Sequence, residues 1–272
     1  MIPFTKAHAC GNDFLIVMQP AAAEADWPEI TRRLCARNTG VGADGIEFFA
    51  WTGIRSGRIR LHNADGSTAE ISGNGTRCVA AWMAEQVGAA VGDELAIETD
   101  AGMRVCRITG IAGEHGFAAE ISIGMGVPLF VPHTVRLANG IDITGIEVST
   151  GNPHFVIVVD NAEFAVFGRS WQAIGTEICV HPDFPKQTNV EFVRMLDERT
   201  IEIRIFERGV GPTSSSGTGT SATATAALAL KGCSSPLTVV APGGAQTVAW
   251  AGPGSELFLT GPAALVARGE AW

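Results

Sequence analysis

The chain has 272 residues, enough for one large domain or two of about 130 each. Hydrophobic residues are 46% and charged residues 17%, a balance that excludes a disordered polyelectrolyte and allows a buried core. The net charge of −9 argues against nucleic acid or an anionic membrane surface as the main partner.

No apolar run reaches the roughly 18 residues of a membrane-spanning helix. The opening MIPFTKAHACGNDF lacks the charged-then-apolar layout of a secretion signal, so a cytoplasmic location is expected. The six cysteines (10, 35, 78, 106, 179, 233) form no C-x-x-C pair and read as reduced thiols. His8 and Cys10 are close, but no second pair completes a metal site, so no metal is expected.

In chain order, β-branched and alternating residues predict strands at Phe14–Met18, Gly57–His62, Leu95–Thr99, Met103–Ile108 and Ala118–Ile123. Further strands are expected at His154–Val159, Glu191–Leu196, Ile201–Ile205 and Leu237–Ala241. Helices are expected at Trp27–Arg37, Thr76–Val87, Ser170–Thr176 and Gly217–Lys231. Pro28 stands near one start, and Gly88 and Gly232 near two ends. A last strand at Ala264–Ala267 is expected to return to the first half of the chain.

Several signals recur about 140 residues apart. The segment 11-GNDF-14 is echoed by 151-GNPHF-155, and 72-SGNGT-76 by 216-SGTGT-220. Ala-rich apolar runs follow both of the latter, and then come strand-like stretches with a central turn. The recurrence predicts two similar α/β halves, residues 1–123 joined by 263–272, and residues 124–262.

The duplicated loops carry the first chemical signal. A Gly-rich turn entering a helix presents N–H groups without intrahelical partners, and the helix dipole adds partial positive charge there. Gly73, Asn74, Gly217 and Thr218 are best placed to hold a carboxylate or phosphate. A plain strand-to-helix turn explains either loop alone. Asn12, Asn63 and Asn152 fit turn geometry as well as ligand contact. His154 fits a satisfied core histidine, and Glu207 with Arg208 fits an exposed ion pair. Asn189 completes the polar set.

Taken together, the set resembles diaminopimelate epimerase. The resemblance runs through 11-GNDF-14, 40-GVGADG-45, 63-NADGS-67, 73-GNGTRC-78, 151-GNPH-154, 188-TNVEF-192, 207-ERGVG-211 and 217-GTG-219. It implies an α/β (α+β) fold of two pseudo-symmetric domains, each a mixed or antiparallel sheet wrapped around a central helix. It places the active site in the cleft between them. It implies inversion at an amino-acid α-carbon without pyridoxal phosphate or another cofactor, in lysine and peptidoglycan precursor synthesis. The three lysines (6, 186, 231) show no evident Schiff-base setting.

By the same resemblance, Asn63, Asn152, Asn189, Glu207 and Arg208 hold the distal end of the amino acid. Gly73, Asn74, Gly217 and Thr218 hold the reacting carboxylate, Asn12 lines the site, and His154 and Glu207 flank the reacting centre. A homodimer is the assembly the family suggests. The family's two catalytic cysteines correspond here to Ser72 and Ser216. An alcohol is a far weaker acid than a thiol, so binding is expected to survive this exchange better than turnover. Pro212, in place of a usual acidic residue, and Ser214–Ser215 also depart from the family pattern. These departures favour a divergent branch over a two-point substitution made to trap ligand. Two alternatives stand beside the epimerase: another cofactor-independent isomerase or racemase using Glu or His with serine, and a non-catalytic amino-acid-binding protein.

Overall fold

The computed structural model describes residues 1–22, 26–113 and 116–272. They form two compact units, Met1–Gly124 with Thr260–Trp272, and Met125–Leu259.

The first unit contains β1 (Ile2–Ala9), β2 (Asn12–Met18), α1 (Trp27–Cys35), β3 (Gly45–Gly53), β4 (Ser56–Asn63) and the short β5 (Thr68–Ala69). It continues with α2 (Gly73–Val87), β6 (Glu94–Thr99), β7 (Gly102–Ala112) and β8 (Ala118–Gly124). Pairing runs β1–β2 antiparallel, β2–β3 parallel, β3–β4 antiparallel, β4–β6 parallel, then β6–β7 and β7–β8 antiparallel. The helix α2 packs on β1, β2, β6, β7 and β8. Every residue from Gly73 to Ala84 is buried, so over this length the helix has no solvent face to make polar. By contrast α1 is amphipathic. Ile30, Leu34 and Cys35 join Ile46 and Phe48 of β3 in one cluster, while Glu29, Arg32 and Arg33 face solvent.

Alternation along β3 therefore sends two neighbours in opposite directions. Phe48 stacks on Trp27 of α1 at 4.4 Å between ring centroids. Phe49 meets Trp82 of α2 at 5.0 Å. Glu47, two residues before Phe49, shares its face and points to the α2 side.

The second unit contains β9 (Leu129–Arg136), β10 (Asp142–Ser149), β11 (Pro153–Val159), α3 (Trp171–Cys179), β12 (Asn189–Asp197) and β13 (Thr200–Glu207). After these come the short β14 (Gly211–Thr213), α4 (Gly217–Leu230), β15 (Leu237–Ala241) and β16 (Gly244–Trp250). Pairing repeats the plan of the first unit: β11–β12 parallel, β12–β13 antiparallel, β13–β15 parallel and β15–β16 antiparallel. The central helix is now α4, packed on β10, β11, β12, β13, β15 and β16. The buried hydroxyls of Ser221, Thr223 and Thr225 bond to backbone carbonyls of the same helix. Ser221 donates to Gly217 O at 2.9 Å and Thr225 to Ser221 O at 2.8 Å. That is how a helix so rich in Ser and Thr can lie in a core.

A final strand, β17 (Leu257–Ala271), starts in the second unit and ends in the first. There it pairs antiparallel with β1, from Ile2↔Ala271 to His8↔Ala264, and also with β8. The row β17–β1–β2–β3–β4–β6–β7–β8 thus closes on itself around α2.

The internal repeat is finer than the motif echoes suggest. Asp26 and Ser170 cap α1 and α3, which are nine residues each and 144 positions apart. Trp27, Ile30 and Cys35 recur at that offset as Trp171, Ile174 and Cys179. Phe48 recurs as Phe192.

Several expected boundaries move. The first helix stops at Cys35, not Arg37, because Ala36 leaves the helical region with ψ 118°. The second begins at Gly73 with Ser72 as its cap, three residues before the expected Thr76. The third runs Trp171–Cys179, beyond the expected Thr176, and the fourth ends at Leu230, one residue before Lys231. The strands β1, β3, β9 and β10 were absent from the expected set. Pro132 within β9 and Gly145 within β10 weaken the local strand signal. Gly145 is tolerated because a side chain there would collide with the Phe155 ring.

Candidate active site

The two serines occupy matching positions. Ser72 and Ser216 are both extended N-cap residues, with φ −123° and −146°. Ser72 Oγ accepts from Gly75 N at 3.0 Å, and Ser216 Oγ accepts from Gly219 N at 3.2 Å. Each hydroxyl therefore satisfies one donor of the first turn, as a cap does. The two serines expected at the base positions are thus both helix caps.

A second matched pair lies beside them. In the first unit Asn74 Nδ2 donates to Asn12 Oδ1 at 3.1 Å. In the second, Asn152 Nδ2 donates to Thr218 Oγ1 at 3.3 Å. Asn74 and Thr218 follow the capping serines by two residues. Asn12 and Asn152 lie in or beside the turns that lead into β2 and β11. Each unit thus ties the second residue of its central helix to the turn before its parallel strand.

The first unit extends this link outward. Asn12 Nδ2 donates to Asp44 Oδ2 at 2.6 Å, and Arg37 bridges Asp44 and Asp13 at 2.6 and 2.9 Å. Burial works against a charge on Asp13, but hydrogen bonds from Arg37 and Lys6 outweigh it and hold the carboxyl below its ordinary value. Inward, the fully buried Arg77 donates to Asn74 Oδ1 at 2.7 Å. Asn63 is apart from this chain. It ends β4, and its Nδ2 donates to Ser67 Oγ at 3.1 Å.

The second unit extends inward through a histidine. His154 is fully buried; its Nε2 lies 3.0 Å from Asn152 Oδ1 and its Nδ1 lies 2.7 Å from Glu191 Oε1. With Asn152 Oδ1 accepting, Nε2 carries a proton, and the short Nδ1–Oε1 contact needs another between its two atoms. A line of contacts then runs Glu191–His154–Asn152–Thr218–Ser216, the last at 3.4 Å. His154 is thus a buried histidine with both ring nitrogens engaged, as the core-histidine reading expects, and it stands two contacts from Thr218 of α4.

Asn189, Glu207 and Arg208 gather at the ends of β12 and β13. Asn189 Oδ1 accepts from the Arg208 backbone N at 2.9 Å, and its Nδ2 donates to Pro153 O at 3.1 Å. Arg208 Nη1 donates to Lys186 O at 2.9 Å. Glu207 Oε1 accepts from Thr213 Oγ1 at 2.9 Å. The set is therefore held on two strand ends and a loop, with the Arg208 guanidinium tied to the Lys186 carbonyl.

Three residues near these groups have no role in the motif reading: Glu47, which lies in none of the motifs, and Arg77 and Glu191, which lie inside 73-GNGTRC-78 and 188-TNVEF-192. Glu47 and Glu191 stand 144 positions apart, each third in its strand. Glu191 Oε1 lies 2.9 Å from where a methyl group on Gly219 would stand, and a methyl on Gly75 would overlap Glu47 Oε1. Each acid backs the first turn of its own unit's central helix. The repeated triplets 46-IEF-48 and 190-VEF-192 are the signal that could have found them.

Comparison with other proteins fits this geometry. The family model described as Diaminopimelate epimerase matches residues 4–131 and 146–266. A diaminopimelate epimerase of Desulfitobacterium hafniense is 36% identical over 278 residues, covering 97% of this chain and 96% of that protein. One from Moorella thermoacetica is 34% identical, with 98% of each chain covered. Among solved structures, a predicted epimerase from Pseudomonas aeruginosa superposes with a TM-score of 0.73 at 17% identity, covering 100% of this chain and 99% of that one. A hydroxyproline epimerase from Agrobacterium vitis, with trans-4-hydroxy-L-proline bound, gives 0.70 at 15% identity, covering 98% and 91%. These two share the fold. Nearly full-length identity above 30%, with paired capped helices in two matching units, leads to one conclusion: the chain belongs to the diaminopimelate epimerase family, a family of isomerases.

Proposed function

We propose that this protein binds diaminopimelate, or a close α-amino acid, and acts by cofactor-independent proton transfer at the α-carbon. The supporting observation is the matched pair of capped helix starts, Ser72 on α2 and Ser216 on α4, each with its glycine-rich first turn. In this reading Gly73, Asn74, Gly217 and Thr218 hold the reacting carboxylate with backbone donors. Asn12 lines the site. Asn63, Asn152, Asn189, Glu207 and Arg208 hold the distal end, which spends binding energy on orientation.

Inversion needs one group that takes the α-proton and one that delivers a proton to the carbanion. Ser72 and Ser216 are assigned those positions, with Glu207 as a group able to take a proton from an alcohol; His154, with both ring nitrogens engaged, acts on Ser216 only through Asn152 and Thr218. A neutral alcohol is a poor base, so binding outlasts turnover. The serines themselves favour a second reading, an amino-acid-binding protein without turnover. Location in the cytoplasm and a homodimer are the setting the family suggests.

Deuterium incorporation at the α-carbon of diaminopimelate in D₂O, paired with calorimetric binding, tests the proposal. Binding with slow exchange supports it. Binding without any exchange supports the binding-protein reading. Absence of binding would sink both.

A further inference from the structure

We propose that Glu47 is a positioning residue for the anion cradle of α2: protonated, it lets a carboxylate sit at the first turn, and ionised, it drives that carboxylate off.

Glu47 lies on the face of β3 that looks at α2, and its Oε1 sits against the Cα of Gly75, where a methyl group would overlap it. Gly75 N is the donor that Ser72 Oγ receives. The carboxyl is therefore pressed against the buried side of the turn that Ser72 caps.

Next comes its cost. Both Glu47 oxygens are buried without a hydrogen-bond partner among the described residues. An unpartnered carboxyl in a core is unfavourable, and an apolar side chain would serve packing better. The fold gains nothing from it.

The matching unit shows what is missing. Glu191 backs Gly219 in the same way, but His154 Nδ1 meets it at 2.7 Å. His154 is in register with Asn189, the first residue of β12. In the first unit the residue in register with Gly45, the first of β3, is Phe14. Glu191 shares a proton with a ring, whereas Glu47 has to carry its own.

The charged and titratable neighbours leave that state undisturbed. The strand residues opposite Glu47 are Ile16 on β2 and Leu61 on β4. On α2, burial keeps the Cys78 thiol neutral, and Arg77 turns to Asn74 Oδ1. The helix α1 packs on the other face of β3. Burial accordingly raises Glu47 to about 8. Two negative charges on opposite sides of one helix turn repel strongly through a low-dielectric layer, and the partial charge of the helix start cannot offset both.

This inference rests on the reading that the α2 turn holds a carboxylate, so the experiment separates the two. Binding of meso-diaminopimelate is measured by calorimetry on the full chain and on Glu47→Gln, from about pH 6 to about pH 9.5. In parallel, the Glu47 carboxyl is followed by ¹³C NMR, assigned by its loss in Glu47→Gln. Equal affinities are expected near pH 6. At higher pH the unsubstituted chain should lose up to about tenfold per pH unit relative to Glu47→Gln, and saturating ligand should raise the carboxyl midpoint. Titration of the ligand's own amino groups is common to both proteins and cancels. Parallel affinity curves, or a midpoint that bound ligand does not move, would overturn the proposal. If diaminopimelate binds neither protein, the functional reading fails by itself. Formate, at matched ionic strength, then replaces it as the probe in the NMR arm: a raised midpoint supports the role of Glu47, and an unmoved one overturns it.

Discussion

His154 Nδ1 stands 2.7 Å from Glu191 Oε1, and neither side chain is exposed to solvent. A contact this short needs a proton between its two atoms. Removing one member leaves the other buried without its partner. Glu191→Ala should therefore lower unfolding free energy by about 3–5 kcal/mol, and Glu191→Gln, which keeps a hydrogen bond, by roughly 1–2 kcal/mol. Urea melts of the two variants measure this; equal losses would mean that the shared proton is unimportant.

Restoring thiols tests the assignment of the serines. Ser72→Cys combined with Ser216→Cys should raise α-deuterium exchange by at least about a hundredfold, the scale of a positioned acid–base group. No gain, in a protein that still folds and binds ligand, would mean that more than the two bases has diverged.

Arg208 is assigned to the distal end of the ligand. Arg208→Ala should weaken diaminopimelate by about 1.5–3 kcal/mol, the usual worth of a hydrogen bond to a charged group. An α-amino acid without the second amino-acid end should lose far less. Calorimetry with both ligands decides; equal losses remove the assignment.

The unpartnered Glu47 makes stability depend on pH in a definite direction. Its folded value, about 8, lies above the ordinary 4.5. The unfolded chain therefore releases this proton first as pH rises. Stability is full below about 4.5 and falls until pH passes about 8, by a few kcal/mol at most. Glu47→Gln should remove that slope, so the two proteins should melt alike near pH 4 and diverge by pH 8. Parallel melting curves across this range would show that Glu47 is ionised in the folded protein.

Gly75 and Glu47 should also be energetically coupled. In most helices Gly→Ala stabilises by up to about 1 kcal/mol. Here the new methyl would overlap Glu47 Oε1, so Gly75→Ala should destabilise instead. The loss should shrink when Glu47→Ala is made first, a coupling that a double-mutant cycle reads directly.

The motifs were legible because they are local. The turn glycines and the serines ahead of them lie within a few residues, so the helix start at Gly217 could be read from the chain, while the start at Gly73 with its cap Ser72 was expected three residues late, at Thr76. Membership of the family followed from the order of those motifs. The acids behind the turns could not be read this way. Glu47 and Gly75 meet because alternation on β3 and the burial of α2 bring them together, and neither fact belongs to a motif. Arg77 and Asn74 share one motif and lie three residues apart on α2, but a long basic side chain in a helix reads as surface until the helix is known to be surrounded. The strands β9 and β10 failed for another reason. Their Pro132 and Gly145 lower local strand preference, and pairing along the full length of both strands overrides it.

The pairing of Ile2 with Ala271 has a consequence for the order in which the protein is made. Synthesis runs from the N-terminus, and folding of nascent chains commonly follows it. The ring of strands around α2 cannot close until β17 has left the ribosome. Residues 125–259, made earlier than β17's far end, already contain every strand of their own unit. The later-encoded unit can thus be complete while the first-made unit still waits with the edges of β1 and β8 open. Those edges are where a chaperone would be needed, and where a nascent chain would first mispair.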